Sequence, residues 1–295
     1  MIYPSKILKK VKNMGIKKLD FDSIYFDLYE LRKGIYAAIS AEKLPSSNAG
    51  FFDLGNYLII FDTMMDPYAT EDLIKASKQF TNKDPSFLIN SHHHWDHLFG
   101  NRKFPIEMPI ISSSEALAMY NENFKDTLER FRGIATEELK RIKEEIEKET
   151  NPDKILEMNN DINTYNEILD PTFKLRPPDF IINDSIIIEG TENKVQIIYI
   201  GDAHTPGDMI AYFEKEKIVF MGDLVFEETD PNWATTTDPA PVPANPQRLC
   251  DILINYVEKD LDIYIPGHGK ICSKKVLQEN AEFFEKYFIN VKTSE

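Results

Sequence analysis

The sequence predicts an α/β layered fold. Two short apolar runs, Tyr57 to Phe61 and Ser86 to Asn90, have the character of strands buried on both faces. A helical stretch, Glu71 to Phe80, lies between them. That β–α–β order belongs to layered α/β proteins. More short strands follow in the second half, and 295 residues are enough for one large domain or two modest ones.

The first part of the chain reads as strands. Ser23 to Tyr29 and Gly34 to Ser40 are rich in β-branched and aromatic residues and are broken by a charged turn. From Ser112 the character becomes helical. Ser112 and Glu115 have capping-box spacing. Leu139, Ile142 and Ile146 form an amphipathic stripe, and Thr136 is placed to cap a helix that carries it. Asn151 and Pro152 start another helix, with proline at its first position. Pro171, Pro177 and Pro178 close the segment, so residues 113–176 are expected to be mostly helical.

Strands resume at Phe180 to Ile182, Ser185 to Ile188, Val195 to Ile200, Met209 to Phe213 and Ile218 to Met221. A Pro-rich acidic loop, Glu227 to Gln247, carries Trp233, expected to form a wall of a candidate site and either to stack on substrate or to pack against the helical segment 113–176 as a lid. Helices are expected at Arg248 to Val257 and Val276 to Phe288, with a strand at Ile263 to Ile265 between them.

Composition narrows the function. Apolar residues are 42% and charged residues 28%, as in ordinary globular proteins. No apolar run approaches the roughly 20 residues of a membrane span. The start of the chain shows no secretory leader, so a cytoplasmic location without a membrane partner is expected. Cys250 and Cys272 are read as reduced thiols. The net charge of −15, with no basic stripe, argues against a nucleic-acid partner.

Six histidines carry the chemistry. Four sit in Ser91-His92-His93-His94-Trp95-Asp96-His97, and His204 and His268 follow later strands. Residues two apart in extended chain point the same way, so His92 and His94 can share one ion while His93 points aside. The following turn can swing Asp96 and His97 toward a second ion. Asp223 follows another strand and could bridge both. The expected grouping is His92, His94 and His204 for one ion, with Asp96, His97 and His268 for the other. Imidazole and carboxylate donors suit zinc, and also iron or manganese. Two divalent ions with a shared water would give a hydroxide nucleophile, so no serine or cysteine is needed.

These residues resemble the metallo-β-lactamase superfamily over most of the chain. His92, His94, Asp96 and His97 fit its H-x-H-x-D-H signature, and His204, Asp223 and His268 fit its later metal motifs in order. Asp62 looks like its first-motif aspartate, which implies support of the metal ligands. The resemblance implies a four-layer αββα sandwich of two mixed sheets, the metals at one edge. Residues 1–295 would then be a single domain with residues 113–176 as a helical insertion, a candidate lid or dimer arm.

Within that family, zinc β-lactamases with an Asp-His pair generally lack the aspartate that Asp223 supplies. The chain after His268 is short for the helical domain of glyoxalase II. The acidic charge argues against ribonuclease Z. Flavodiiron proteins place a glutamate where His94 stands. N-acyl homoserine lactonases share the ligand set. The expected activity is therefore hydrolysis of an ester-type bond in a small molecule, with Asp96 as proton shuttle. The rivals are an iron oxygenase of the persulfide-dioxygenase kind, holding one iron at His92, His204 and Asp223, and a non-catalytic metal-binding protein.

Overall fold

In a computed structural model, which describes residues 14–44, 46–227 and 244–290, two mixed sheets pack face to face. The first has eight strands in sequential order: β1 Lys17–Lys18, β2 Phe26–Arg32, β3 Ile35–Ser40, β4 Ala49–Asp53, β5 Leu58–Phe61, β6 Phe87–Ile89, β7 Ile110–Ser112 and β8 Phe180–Ile181. β1 to β5 pair antiparallel, and β5 to β8 pair parallel. The second sheet holds β9 Ser185–Glu189, β10 Lys194–Gly201, β11 Asp208–Phe213, β12 Ile218–Phe220 and β13 Ile263–Ile265, with only the β12–β13 pair parallel.

Side-chain alternation builds the layers. In β5 all four residues are buried. Ile59 and Phe61 enter the core between the sheets, while Leu58 and Ile60 face the outer layer. Phe52 meets Phe213 and Phe220 of the opposite sheet edge-on, with ring centroids 4.8 and 4.9 Å apart. Each such pair adds about 0.5–1.5 kcal/mol beyond area burial. Helix α1, Pro67–Thr81, covers the outer face of the first sheet through Ala69, Leu73 and Ala76.

A four-residue turn of helix, α2 Trp95–Leu98, follows β6. α3 Ser114–Ile146 and α4 Pro152–Leu169 lie between β7 and β8. α5 Pro246–Glu258 and α6 Lys274–Phe284 cover the second sheet through Leu249, Leu253 and Leu277. Among the described residues no helix is long and apolar enough to cross a membrane. Cys250 and Cys272 are both buried, and neither is in a disulfide.

The helical region departs from expectation at two residues. Ser112 does not cap α3: it ends β7, and its hydroxyl donates to Asn90 O at 3.2 Å. Ser113, with extended backbone, caps instead by accepting from Ala116 N at 3.1 Å. Nor does Thr136 start a helix. It lies inside the 33 residues of α3, its hydroxyl turned back onto Arg132 O at 2.8 Å. No proline interrupts that stretch, so no residue in it breaks the backbone hydrogen-bond ladder. Trp233 and most of the Glu227–Gln247 loop lie outside the described residues.

α3 and α4 pack behind α2. Trp95 lies against Phe131 of α3, with ring centroids 4.4 Å apart, and Phe99 against Phe173 at 5.1 Å. Arg102 pairs with Glu167 of α4 at 2.9 Å. Arg176, 9% exposed, closes the return to β8 by donating to Pro105 O at 2.7 Å and Met108 O at 2.6 Å.

Candidate metal centre

Strand ends bring the candidate ligands together. Asp62 follows β5, and His92, His94, Asp96 and His97 follow β6. From the other sheet, His204 follows β10, Asp223 follows β12 and His268 follows β13. β5 and β6 run parallel, as do β12 and β13, so their C-terminal ends collect at one edge of the sandwich. Such edges are where layered α/β proteins bind ligands.

Two donor groups form there. His92, His94, His204 and Asp223 offer atoms within 4.8 Å of one another, and so do Asp96, His97 and His268. The structure thus brings all seven of these residues together, with Asp223 in the first group, and His93 is in neither group. Asp223 lies between them. Its Oδ2 is 3.4 Å from His204 Nε2 and 3.7 Å from His92 Nε2. Its Oδ1 is 3.0 Å from His97 Nε2 and 3.5 Å from His268 Nε2. Asp96 Oδ2 completes the second group, 3.1 Å from His268 Nε2 and 3.5 Å from His97 Nε2.

The donor atoms fit a cation better than they fit each other. His94 Nδ1 and His204 Nε2 face one another at 3.2 Å. His92 Nε2, His97 Nε2 and Asp223 Oδ1 are buried without an aligned hydrogen-bond partner. Each such atom costs about 1–3 kcal/mol unless something else satisfies it. Converging imidazole nitrogens and carboxylate oxygens are a transition-metal donor set.

Asp62 orients the histidines. It is 1% exposed and held at φ 60°, a left-handed conformation that aspartate tolerates better than most residues. Its Oδ2 accepts from His97 Nδ1 at 3.0 Å and from Ser91 Oγ at 2.7 Å, and its Oδ1 accepts from Ser91 N at 2.6 Å. Having given its one hydrogen to Asp62, the Ser91 hydroxyl accepts from His92 Nδ1–H at 2.9 Å. His92 Nε2 is left with a free lone pair aimed at the site.

The two groups differ in charge. Burial lowers His92 well below its ordinary range, His94 to about 4 and His204 to about 3, so these imidazoles are neutral. Burial opposes charge on His97 too, but Asp223, Asp96 and Asp62 outweigh it and hold His97 well above its ordinary range. His268 is likewise lifted, against burial, to about 10 by Asp223 and Asp96. Burial would raise Asp96, yet His97 and His268 bring it down to about 2.

Loop contacts tie the ligand segments together. Asn48 Nδ2 donates to Pro266 O at 2.9 Å and Gly269 O at 2.8 Å, clamping the turn that carries His268. Ser47 Oγ donates to Asp96 O at 2.5 Å. Gly267 N donates to Gly222 O at 2.6 Å, and a Cβ at Gly267 would strike Asp223 Oδ1. Sequence reasoning missed Ser91, Ser47 and Asn48. Ser91 could have been suspected from its place between the β6 strand and the histidine motif. The others carry no local signal.

The deep side of the site is closed, with His97 fully buried. Asp96 and His268, about 30% and 28% exposed at their side chains, form its open side. Phe226 stacks on His268, with centroids 5.8 Å apart and planes 11° from parallel.

Comparison with known proteins agrees with this architecture. A profile of the metallo-beta-lactamase superfamily matches residues 43–268. Among solved structures, a metallo-beta-lactamase from Pontibacter korlensis superposes with a TM-score of 0.61 at 13% identity, covering 88% of this chain and 99% of that one. The metallo-beta-lactamase FIM-1 from Pseudomonas aeruginosa, in its mono-zinc form, gives 0.60 at 15% identity, covering 90% and 96%. One from Hirschia baltica gives 0.57 at 16% identity, covering 88% and 97%. At these identities the likeness is one of fold. No curated protein matches the sequence.

Proposed function

Because the chain belongs to the metallo-beta-lactamase superfamily, we propose that it is a metal-dependent hydrolase of an ester-type bond in a small molecule: a lactone, a thioester or a related acyl compound. The carrying observation is Asp223, whose Oδ2 faces His92 and His204 while its Oδ1 faces His97 and His268. A carboxylate spanning two donor groups supports a two-ion site. His92, His94 and His204 would hold one ion, and Asp96, His97 and His268 the other, with Asp223 shared. Two divalent ions, zinc first and iron or manganese as alternatives, would supply a bridging hydroxide nucleophile and a Lewis acid for the carbonyl oxygen.

The chain's own groups do the rest. Asp62 and Ser91 fix the tautomers of His97 and His92, so the ligand nitrogens point inward without rearrangement. Asp96 sits on the open side, against His268. That position suits it to move a proton to the leaving group. The chain's charge of −15 supports an uncharged acyl substrate over a polyanion. We read α3 and α4 as an insertion within a single domain. The seating of Trp95 on Phe131 supports a structural tie to the ligand turn over an inert decoration.

Metal analysis combined with an activity panel tests the reading. Purified protein should hold about two divalent ions per chain. It should hydrolyse a member of a lactone and thioester panel, and His94→Ala should abolish turnover. Full activity of metal-free His94→Ala protein overturns the mechanism. A second reading, a mononuclear iron oxygenase, draws support from His92 and His204 both facing Asp223 Oδ2. It predicts a single iron and oxygen uptake with persulfides instead.

A further inference from the structure

A cavity of about 220 Å³ lies where the β3–β4 loop, the segment from β5 into α1, and α4 meet. That is room for roughly seven waters at about 30 Å³ each. It shares no residue with either metal-donor group.

Its wall is rich in acceptors. Ser46 Oγ, Asp66 Oδ2 and Asn160 Oδ1, from three lining residues on three segments, are buried and lack a hydrogen-bond partner. Asp66 is only 4% exposed. Its Oδ1 already caps α1, accepting from Tyr68 N at 2.7 Å and Ala69 N at 3.1 Å. Only Oδ2 is left over. Asp161 adds a second carboxylate from α4.

Positive charge is missing from the same wall. Among the described residues no lysine, arginine or histidine lines the cavity. Lys103 acts on Asp66 from a distance, but its ammonium is engaged by Glu71 at 3.0 Å and Glu167 at 3.5 Å. A buried carboxylate oxygen without a partner is costly, and a cation would relieve it. Apart from Thr164, the remainder of the lining is apolar or aromatic, with Met64, Met65 and Tyr165 among it.

We propose that this cavity binds a small organic ammonium ion, its charged head on Asp66 and Asp161 and its apolar body on Met64 and Met65. Burial raises Asp66 only to about 6, so it still carries charge at neutral pH. A bare metal ion fits less well. Neither group of three or more convergent metal donors among the described residues includes Asp66 or Asp161. An anionic ligand would meet acceptors and like charge. Aromatic faces add attraction for an ammonium head. The proposal does not depend on the hydrolase reading and fails or stands separately.

The test titrates n-butylammonium into the metal-loaded full chain, with n-butanol and butyrate as neutral and anionic counterparts. Methionine-methyl NMR reports the cavity through Met64 and Met65. Saturable shifts of those methyls are expected with butylammonium, about tenfold or more weaker binding with n-butanol, and none with butyrate. Asp66→Asn retains the helix cap, because asparagine caps as well as aspartate. It should weaken butylammonium about tenfold while leaving metal content unchanged. Asp161→Asn supplies an independent variant if Asp66→Asn folds poorly. The proposal is overturned by absent saturation, by equal binding of alcohol or butyrate, or by undiminished affinity in the folded variants.

Discussion

Nδ1 of His97 donates to Oδ2 of Asp62 at 3.0 Å, and that same oxygen receives the Ser91 hydroxyl at 2.7 Å. The other carboxylate oxygen accepts from Ser91 N. Both oxygens face donors, so an amide cannot replace the carboxylate cleanly. Whichever way Asp62→Asn turns, its NH2 meets a hydrogen. Asparagine still tolerates the left-handed backbone at φ 60°, so the fold should survive. Loss of such support typically costs 10–100-fold in metal affinity, about the effect expected in a competitive chelator titration. Unchanged affinity would show that Asp62 serves the fold alone.

Asp223 should be more sensitive than Asp62, because it touches both donor groups directly. Asp223→Ala removes the one negative charge that faces both groups and leaves His97 and His268 without their strongest counter-charge. Metal content measured after gel filtration should fall below that of the parent protein. Turnover should drop by more than the roughly 100-fold ceiling for supporting residues. A variant that keeps its full metal complement would sink the bridging role.

Gly267 and Gly133 make a paired test of packing. A Cβ on Gly267 would collide with Asp223 Oδ1 and with the backbone of Gly222 and Asp223. Gly267→Ala should therefore destabilise by about 1–3 kcal/mol, as overpacked sites do, and should weaken metal binding with it. Gly133 lies exposed within α3, and a Cβ there meets nothing within 4 Å. Gly133→Ala should stabilise by about 0.5–1 kcal/mol and leave the metal content alone. Urea denaturation of both variants gives the two signs.

Much of this architecture is legible in the amino-acid sequence. Runs such as Tyr57 to Phe61 and Ile263 to Ile265 announce buried strands because both faces need apolar side chains. That the histidines and Asp96 would converge is legible from their spacing and their places after strands, whereas Asp223 is picked out mainly by the family resemblance. β4 was not foreseen, because Ala49 and Gly50 do not read as strand residues. Gly50 is there for the facing sheet: a Cβ would come within 2.5 Å of Phe220 Cε1. β7 is only three residues long, too short to show a period. The continuity of α3 past Thr136 was hidden by a local capping signal that tertiary packing overrides. Asn48 acts across the fold, on the turn carrying His268, and no neighbour in sequence betrays it.

The charge difference between the donor groups sets a pH dependence. In the metal-free protein His97 is held well above 6.5 and His268 at about 10, so both carry protons at neutral pH. His92, His94 and His204 are depressed and already neutral there. An ion entering beside His97 and His268 must displace their protons, while one entering beside the other three need not. Calorimetry in buffers of different ionisation enthalpy should show proton release for one binding step and little for the other. Stability of the metal-free chain follows the same groups. The raised pair stabilises fully below the unfolded value of 6.5 and loses that contribution as pH climbs toward about 10. The depressed histidines act oppositely, costing stability as pH falls from 6.5 through about 4 to about 3. Urea midpoints of chelator-treated protein should therefore peak near neutrality and decline by about pH 9. Metal-loaded protein should lack the alkaline decline, because bound ions replace the protons. A midpoint that rose steadily to alkaline pH would mean that His97 and His268 are not held charged by Asp223 and Asp96.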